Sequence, residues 1–192
     1  MTREAILGAI RAVRLPPSEL PDLEDIGFPY PDPIEQFKTV LEAVGGNWVE
    51  VGSTHELEEY LRAKFPDAKN RLCDYPRATF DTLGAAAPTD PHGLKDLDLT
   101  VVQGEFGVAE NGAVWVTADR ISHRVAFFCA QHLVLLLDSK EIVHKMHQAY
   151  ERIDLESQSY GLFISGPSKT ADIERCLVIG AHGPRSLTVA LV

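Results

Sequence analysis

Residues 133–137 read Leu-Val-Leu-Leu-Leu, an unbroken apolar run closed by Asp138. Such a run is too short to span a membrane and carries no polar face. It is the pattern of a β-strand covered on both sides, as in a mostly parallel sheet. That requirement governs the rest of the chain, which must supply layers for both faces.

The flanking sequence offers them. Asp32 and Glu35 have capping-box spacing with Pro33 at the first helical position, and Ile34, Phe37, Leu41 and Val44 follow on one face before Gly45-Gly46. Ser53 and Glu56 repeat the box ahead of Leu57, Tyr60, Leu61 and Phe65. Short strands are expected at "NWVEV", "RLCDY", "DLTVVQG", "GAVWVT", "YGLFISG" and "SLTVALV". Asp138 and Glu141 predict a helix with Ile142, Val143, Met146 and Tyr150 inward, and "TADIERCL" predicts a second, short one. Pro76, Pro88, Pro91 and Gly93 interrupt any period over residues 76–98. Strands alternating with helices define an α/β fold, a mostly parallel sheet with helices on both faces.

Upstream, Ile6, Ile10 and Val13 mark an amphipathic helix with Thr2 as its N-cap. Pro16, Pro17, Pro21, Pro29, Pro31 and Pro33 follow, and no helix runs through such a stretch. The expected organisation is a helix and proline-rich arm over residues 1–33 and one α/β domain over 34–192. Arg3, Glu4 and Arg11 break up the first helix, so it does not read as a signal peptide, and the cytoplasm is the expected location.

Charge narrows the partners. A net charge of −10 over 192 residues argues against nucleic acid and against an anionic membrane surface. It leaves a small anionic ligand open, because a local site can be positive on an acidic protein. Cys73, Cys129 and Cys176 are scattered and odd in number, which fits neither a disulfide framework nor a cluster site. No cofactor or metal site of the chain's own is expected.

Four stretches carry candidate chemistry. In "LFISGPSKTADIE", a strand passes through Gly166, Ser168, Lys169 and Thr170 into the expected short helix. Strand, small polar loop and helix N-terminus is an anion-binding layout, with Gly166 permitting backbone approach and Ser168, Lys169 and Thr170 offering donors. The spacing is not that of a Walker loop, and Asp172 and Glu174 suit the helix dipole by themselves and would partly repel a phosphate, so the local chemistry alone leans to a capped structural turn. In "GEFGVAENGAVWV", Glu110 lies between Gly104 and Gly112 beyond a buried strand, where α/β sheets bind ligands. It is a candidate nucleophile or general base, or part of an Asn-Gly turn. In "GAHGP", His182 before Gly183 is a candidate proton carrier or a turn residue. Glu141, His144 and His147 lack the second motif of a dimetal site and read as a solvated helix face.

Three of these motifs in order, "GVAENG", "GPSKTADIE" with Gly180 downstream, and "HGPRSLTVAL", make the chain resemble the LUD domain, or lactate-utilisation protein C, family. The likeness is strong over roughly residues 95–192 and one of pattern over 34–75. It departs at Asn111, where the family usually has Thr, and at "FCAQH", where it often has Pro. The resemblance implies a fold similar to the NagB, ribose-phosphate isomerase and CoA-transferase group. It implies a component of L-lactate oxidation to pyruvate that works beside iron–sulfur partner proteins. Two roles follow from it: an accessory subunit that binds a small anion or partner proteins, or an isomerase- or CoA-transferase-like enzyme acting on a phosphate- or CoA-bearing substrate. Whether the chain is an enzyme stays open at this point. Carried over by motif, the site would comprise Glu110 and His182 as catalytic groups, with Gly104, Gly112, Gly166, Ser168, Lys169, Thr170 and Gly183 around the ligand.

Overall fold

The computed structural model describes residues 2–13, 18–19, 27, 29–75, 80–83, 88–154, 160–173 and 176–192. Its centre is a five-stranded parallel sheet. The strands are β1 (Asn47–Glu50), β2 (Arg71–Cys73), β3 (Leu99–Gln103), β6 (His132–Leu137) and β11 (Ser186–Leu191), in the order β1-β11-β6-β3-β2. β6, the apolar run, lies in the middle, with Leu133 opposite Leu187 on one side and Thr100 on the other.

Both faces of this sheet are covered. Leu133, Leu135 and Leu137 enter one core, and Val134 and Leu136 enter the other. This period-two division is what an apolar strand needs when neither face meets water. On one side α3 (Thr54–Lys64) brings Leu57 and Leu61. On the other, α2 (Pro33–Ala43) brings Phe37 and Leu41, and the short α4 (Ala126–Cys129) brings Ala126 and Phe127. Both long helices start as their sequences predict. Asp32 Oδ1 accepts N–H groups from Ile34 and Glu35 at 3.0 Å, and Ser53 Oγ accepts that of Glu56 at 3.2 Å. Thr2 caps α1 (Arg3–Ala12) in the same way.

A second sheet completes the side that carries α2. It contains β4 (Phe106–Val108), β5 (Ala113–Thr117), β7 (Ile142–Val143) and β8 (Gly161–Ile164), in the order β7-β4-β5-β8. The chain enters it at Gly104, whose N–H binds Leu136 O at 2.8 Å and whose α-carbon faces the Val114 side chain with no space for a β-carbon. Val114 and Val116 point into the shared core, while Trp115 turns outward to meet Phe106 and Phe163. Among the described residues no helix is long and apolar enough to cross a membrane.

Two expected helices are corrected. Residues 139–150 do not form one helix. Asp138 caps a single 3-10 turn, Ile142–Val143 then pairs with Gly107–Val108 as β7, and α5 (Met146–Glu151) begins only afterwards. Glu141, His144 and His147 therefore share no helix face. Glu141 pairs with Arg152 at 2.7 Å, and His144 Nδ1 accepts the N–H of Tyr30 at 3.0 Å. Nor does a helix follow "GPSKT". Lys169–Ile173 is β9, paired antiparallel with β10 (Cys176–Ile179) in a two-stranded ribbon. Leu177 and Ile179 of β10 are exposed, so on that strand burial does not impose alternation and the sequence mimics a helix.

Candidate functional site

The loop between β8 and β9 is a turn held on three sides. Gly166 is buried with φ +73°, and a β-carbon there would lie 2.6 Å from Val44 O, so the backbone rests against the C-terminus of α2. The Lys169 ammonium donates to that same carbonyl. A cation on the last carbonyls of a helix is favourable for the helix dipole. Ser165 Oγ donates to Asn111 O at 2.7 Å.

The "HGP" loop closes onto this turn. Ser168 N–H binds Pro184 O and Ser168 O accepts the N–H of Gly180, both at 2.9 Å. Gly183 packs so closely on Ser168 that a β-carbon would come within 2.8 Å of Ser168 Cβ. The two motifs, separate in sequence, thus form one wall. Opposite stand Phe127 and Phe128 of α4, with Leu162 and Ile164 of β8 below, and the groove between them has a volume of about 250 Å³.

Of the nine candidate residues, four meet here: Gly166, Ser168, His182 and Gly183. The others have different positions. Gly104 separates the sheets. Gly112 makes the β4–β5 turn with φ +63°, its α-carbon against Leu41 of α2. Thr170 pairs with Val178 in the ribbon, and Lys169 is held by Val44. Glu110 is exposed on the surface, but its Oε2 accepts the Met146 N–H at 2.8 Å and its own N–H binds His144 O. The carboxylate thus fixes the first turn of α5. Glu105 is also committed, accepting two hydrogen bonds from the Arg120 guanidinium at 2.6 and 3.1 Å that raise the guanidinium pKa further.

Among the described residues lining the groove, His182 is the one ionisable side chain, and it is exposed. The remaining lining is apolar, backbone or hydroxyl. Phe128 adds a ring that is 44% exposed, whereas its neighbour Phe127 is buried. Chemically this suits an apolar or aromatic group with a few hydrogen bonds at its edge better than a phosphate. The motif reading missed Phe128. Its signal was present: two adjacent aromatics on a four-residue helix cannot both face one core.

Comparison with known proteins gives a consistent result. The family profile of the LUD domain matches residues 92–192. "Lactate utilization protein C" of Anoxybacillus flavithermus is 29% identical over 160 residues, which are 82% of this chain and 69% of that protein. The protein of the same name from Oceanobacillus iheyensis is 28% identical over 101 residues, covering 50% of this chain and 43% of its own length. Several such matches thus span less than half of the relative. A crystal structure of a DUF162 family protein from Deinococcus radiodurans superimposes with a TM-score of 0.64 at 16% identity, over 83% of this chain and 96% of that one, and shares the fold.

Proposed function

The chain belongs to the LUD domain family, and from this premise we propose that it is an accessory component of a lactate-utilisation system in the cytoplasm. In this reading the system oxidises L-lactate to pyruvate, and the chain docks iron–sulfur partner proteins that carry the electrons. The name shared by its relatives supports the pathway. One observation carries the role: the "GPSKT" and "HGP" loops are fastened to each other and present an apolar groove with a half-exposed phenylalanine at its edge. Partly exposed aromatics beside rigid backbone are typical anchors of recognition surfaces.

The alternative, an isomerase- or CoA-transferase-like enzyme, needs Glu110 free to attack and the loop free to hold phosphate. The hydrogen bonds of Glu110 to Met146 and of Lys169 to Val44 favour the accessory role. On this reading the resemblance to the NagB and CoA-transferase group extends to the fold and not to the chemistry. The test is reconstitution. Extracts of a strain lacking the chain should lose L-lactate-dependent dye reduction and regain it on addition of the purified chain, which alone reduces nothing. Turnover of sugar phosphates or acyl-CoA thioesters by the purified chain would establish the enzyme reading instead.

A further inference from the structure

A second cleft, of about 400 Å³, opens at the amino ends of β1, β6 and β11 and is closed by the C-terminal end of α3. It is distinct from the groove, although Arg185 and Ser186 of "HGPRSLTVAL" border it. His132, the first residue of β6, is half-buried there. Its Nδ1 lies 2.8 Å from Ser186 Oγ, the first residue of β11, and its ring packs against Phe65, tilted by 35° with 4.7 Å between centroids. Among the described residues Nε2 has no hydrogen-bond partner.

Two cations border the cleft, Lys64 at the end of α3 and Arg185 beside Ser186. Neither has an ion-pair partner among the described residues. Asp98, which also borders it, is occupied by the N–H groups of Lys69 and Asn70 at 2.8 and 2.9 Å. Asp67 is the remaining acid at the rim. Two cations against two carboxylates leave the cleft formally neutral around a half-buried imidazole and hydroxyl, on a protein of net charge −10.

We propose that this cleft binds a small monocarboxylate, its oxygens held by Lys64, Arg185 and the His132–Ser186 pair and its hydrocarbon lying on Phe65. A single negative charge suits the site better than phosphate, because Asp67 and Asp98 repel a second one. Burial, then the nearby Arg185, holds the His132 pKa below its ordinary value, with Asp98 opposing. A bound anion favours the imidazolium, so binding strengthens as pH falls through the His132 titration, which burial places below the ordinary histidine range.

The experiment is an NMR titration of the full chain with propionate and, separately, inorganic phosphate, following the His132 ring and the Ser186 amide. Propionate is expected to give saturable shifts and to raise the His132 pKa, with phosphate binding more weakly. Lys64→Gln and Arg185→Gln together should weaken binding at least about tenfold. Lys64→Gln alone, an exposed change at a helix end, should weaken it in the same direction while leaving the amide spectrum folded. Shifts of His132 that merely follow those of the exposed His55 would overturn the site. So would equal affinity in the Lys64→Gln variant, or tighter binding of phosphate than of propionate.

Discussion

Replacing Gly166 by Ala tests how the two motif loops are held. Ala at φ +73° pays the left-handed backbone penalty, about 1–2 kcal/mol. Its β-carbon would also sit 2.6 Å from Val44 O, a backbone atom of the α2 C-terminus that is itself bonded to Lys169. Relief requires the loop or the helix end to move, and such overpacking costs about 1–3 kcal/mol. The sum, about 2–5 kcal/mol, is a large fraction of a typical domain's stability of about 5–15 kcal/mol. Urea unfolding followed by tryptophan fluorescence reads it, since Trp115 is buried in the second sheet. Gly8→Ala is the control, because an added β-carbon there meets nothing within 4 Å on an exposed helix. A Gly166→Ala loss below about 0.5 kcal/mol, the range of an ordinary surface change, would refute the claim that this turn is built around glycine.

Three further outcomes are expected. Because the folded-state pKa of His132 is depressed, the unfolded chain binds more protons below about pH 6.5. Urea stability should therefore fall as pH drops through that region, and less so in His132→Gln; identical pH profiles would contradict this. Native-state alkylation should modify exposed Cys176 first and buried Cys73 last, since burial pushes the Cys73 thiol up to about 11, and mass spectrometry of quenched samples gives the order. Deleting Leu187–Val192 removes Leu187, Val189 and Leu191 from the core at about 1.5–3 kcal/mol each and should abolish cooperative melting.

The central sheet was legible because its chemistry is local and strong. β6 announces itself as an apolar run, and Asp32 and Ser53 mark helix starts by their own hydrogen bonds. The second sheet was harder. β7 has two residues and exists because Gly107–Val108 lies beside it, so tertiary pairing overrides a helical period that the sequence shows from 141 to 150. β10 buries too little to pattern its residues. At the site, Gly166, Ser168, His182 and Gly183 were legible as small and polar residues at element ends. Glu110 and Lys169 were legible only as charges. What engages them, the Met146 N–H and the Val44 carbonyl, lies 36 and 125 residues away in sequence. His132 and Ser186, 54 residues apart, meet only because β6 and β11 are neighbours in the sheet.

The accessory-component account rests on the groove beside Phe128, and growth on L-lactate tests it most directly. A strain deleted for this chain is complemented with the wild-type chain or with Phe128→Glu, a change at a 44%-exposed ring that leaves the core intact. The account predicts that wild type restores growth on L-lactate as sole carbon source. It predicts that Phe128→Glu, folded and present at equal level, does not, while both strains grow equally on glucose. Full growth of the Phe128→Glu strain on L-lactate would contradict it.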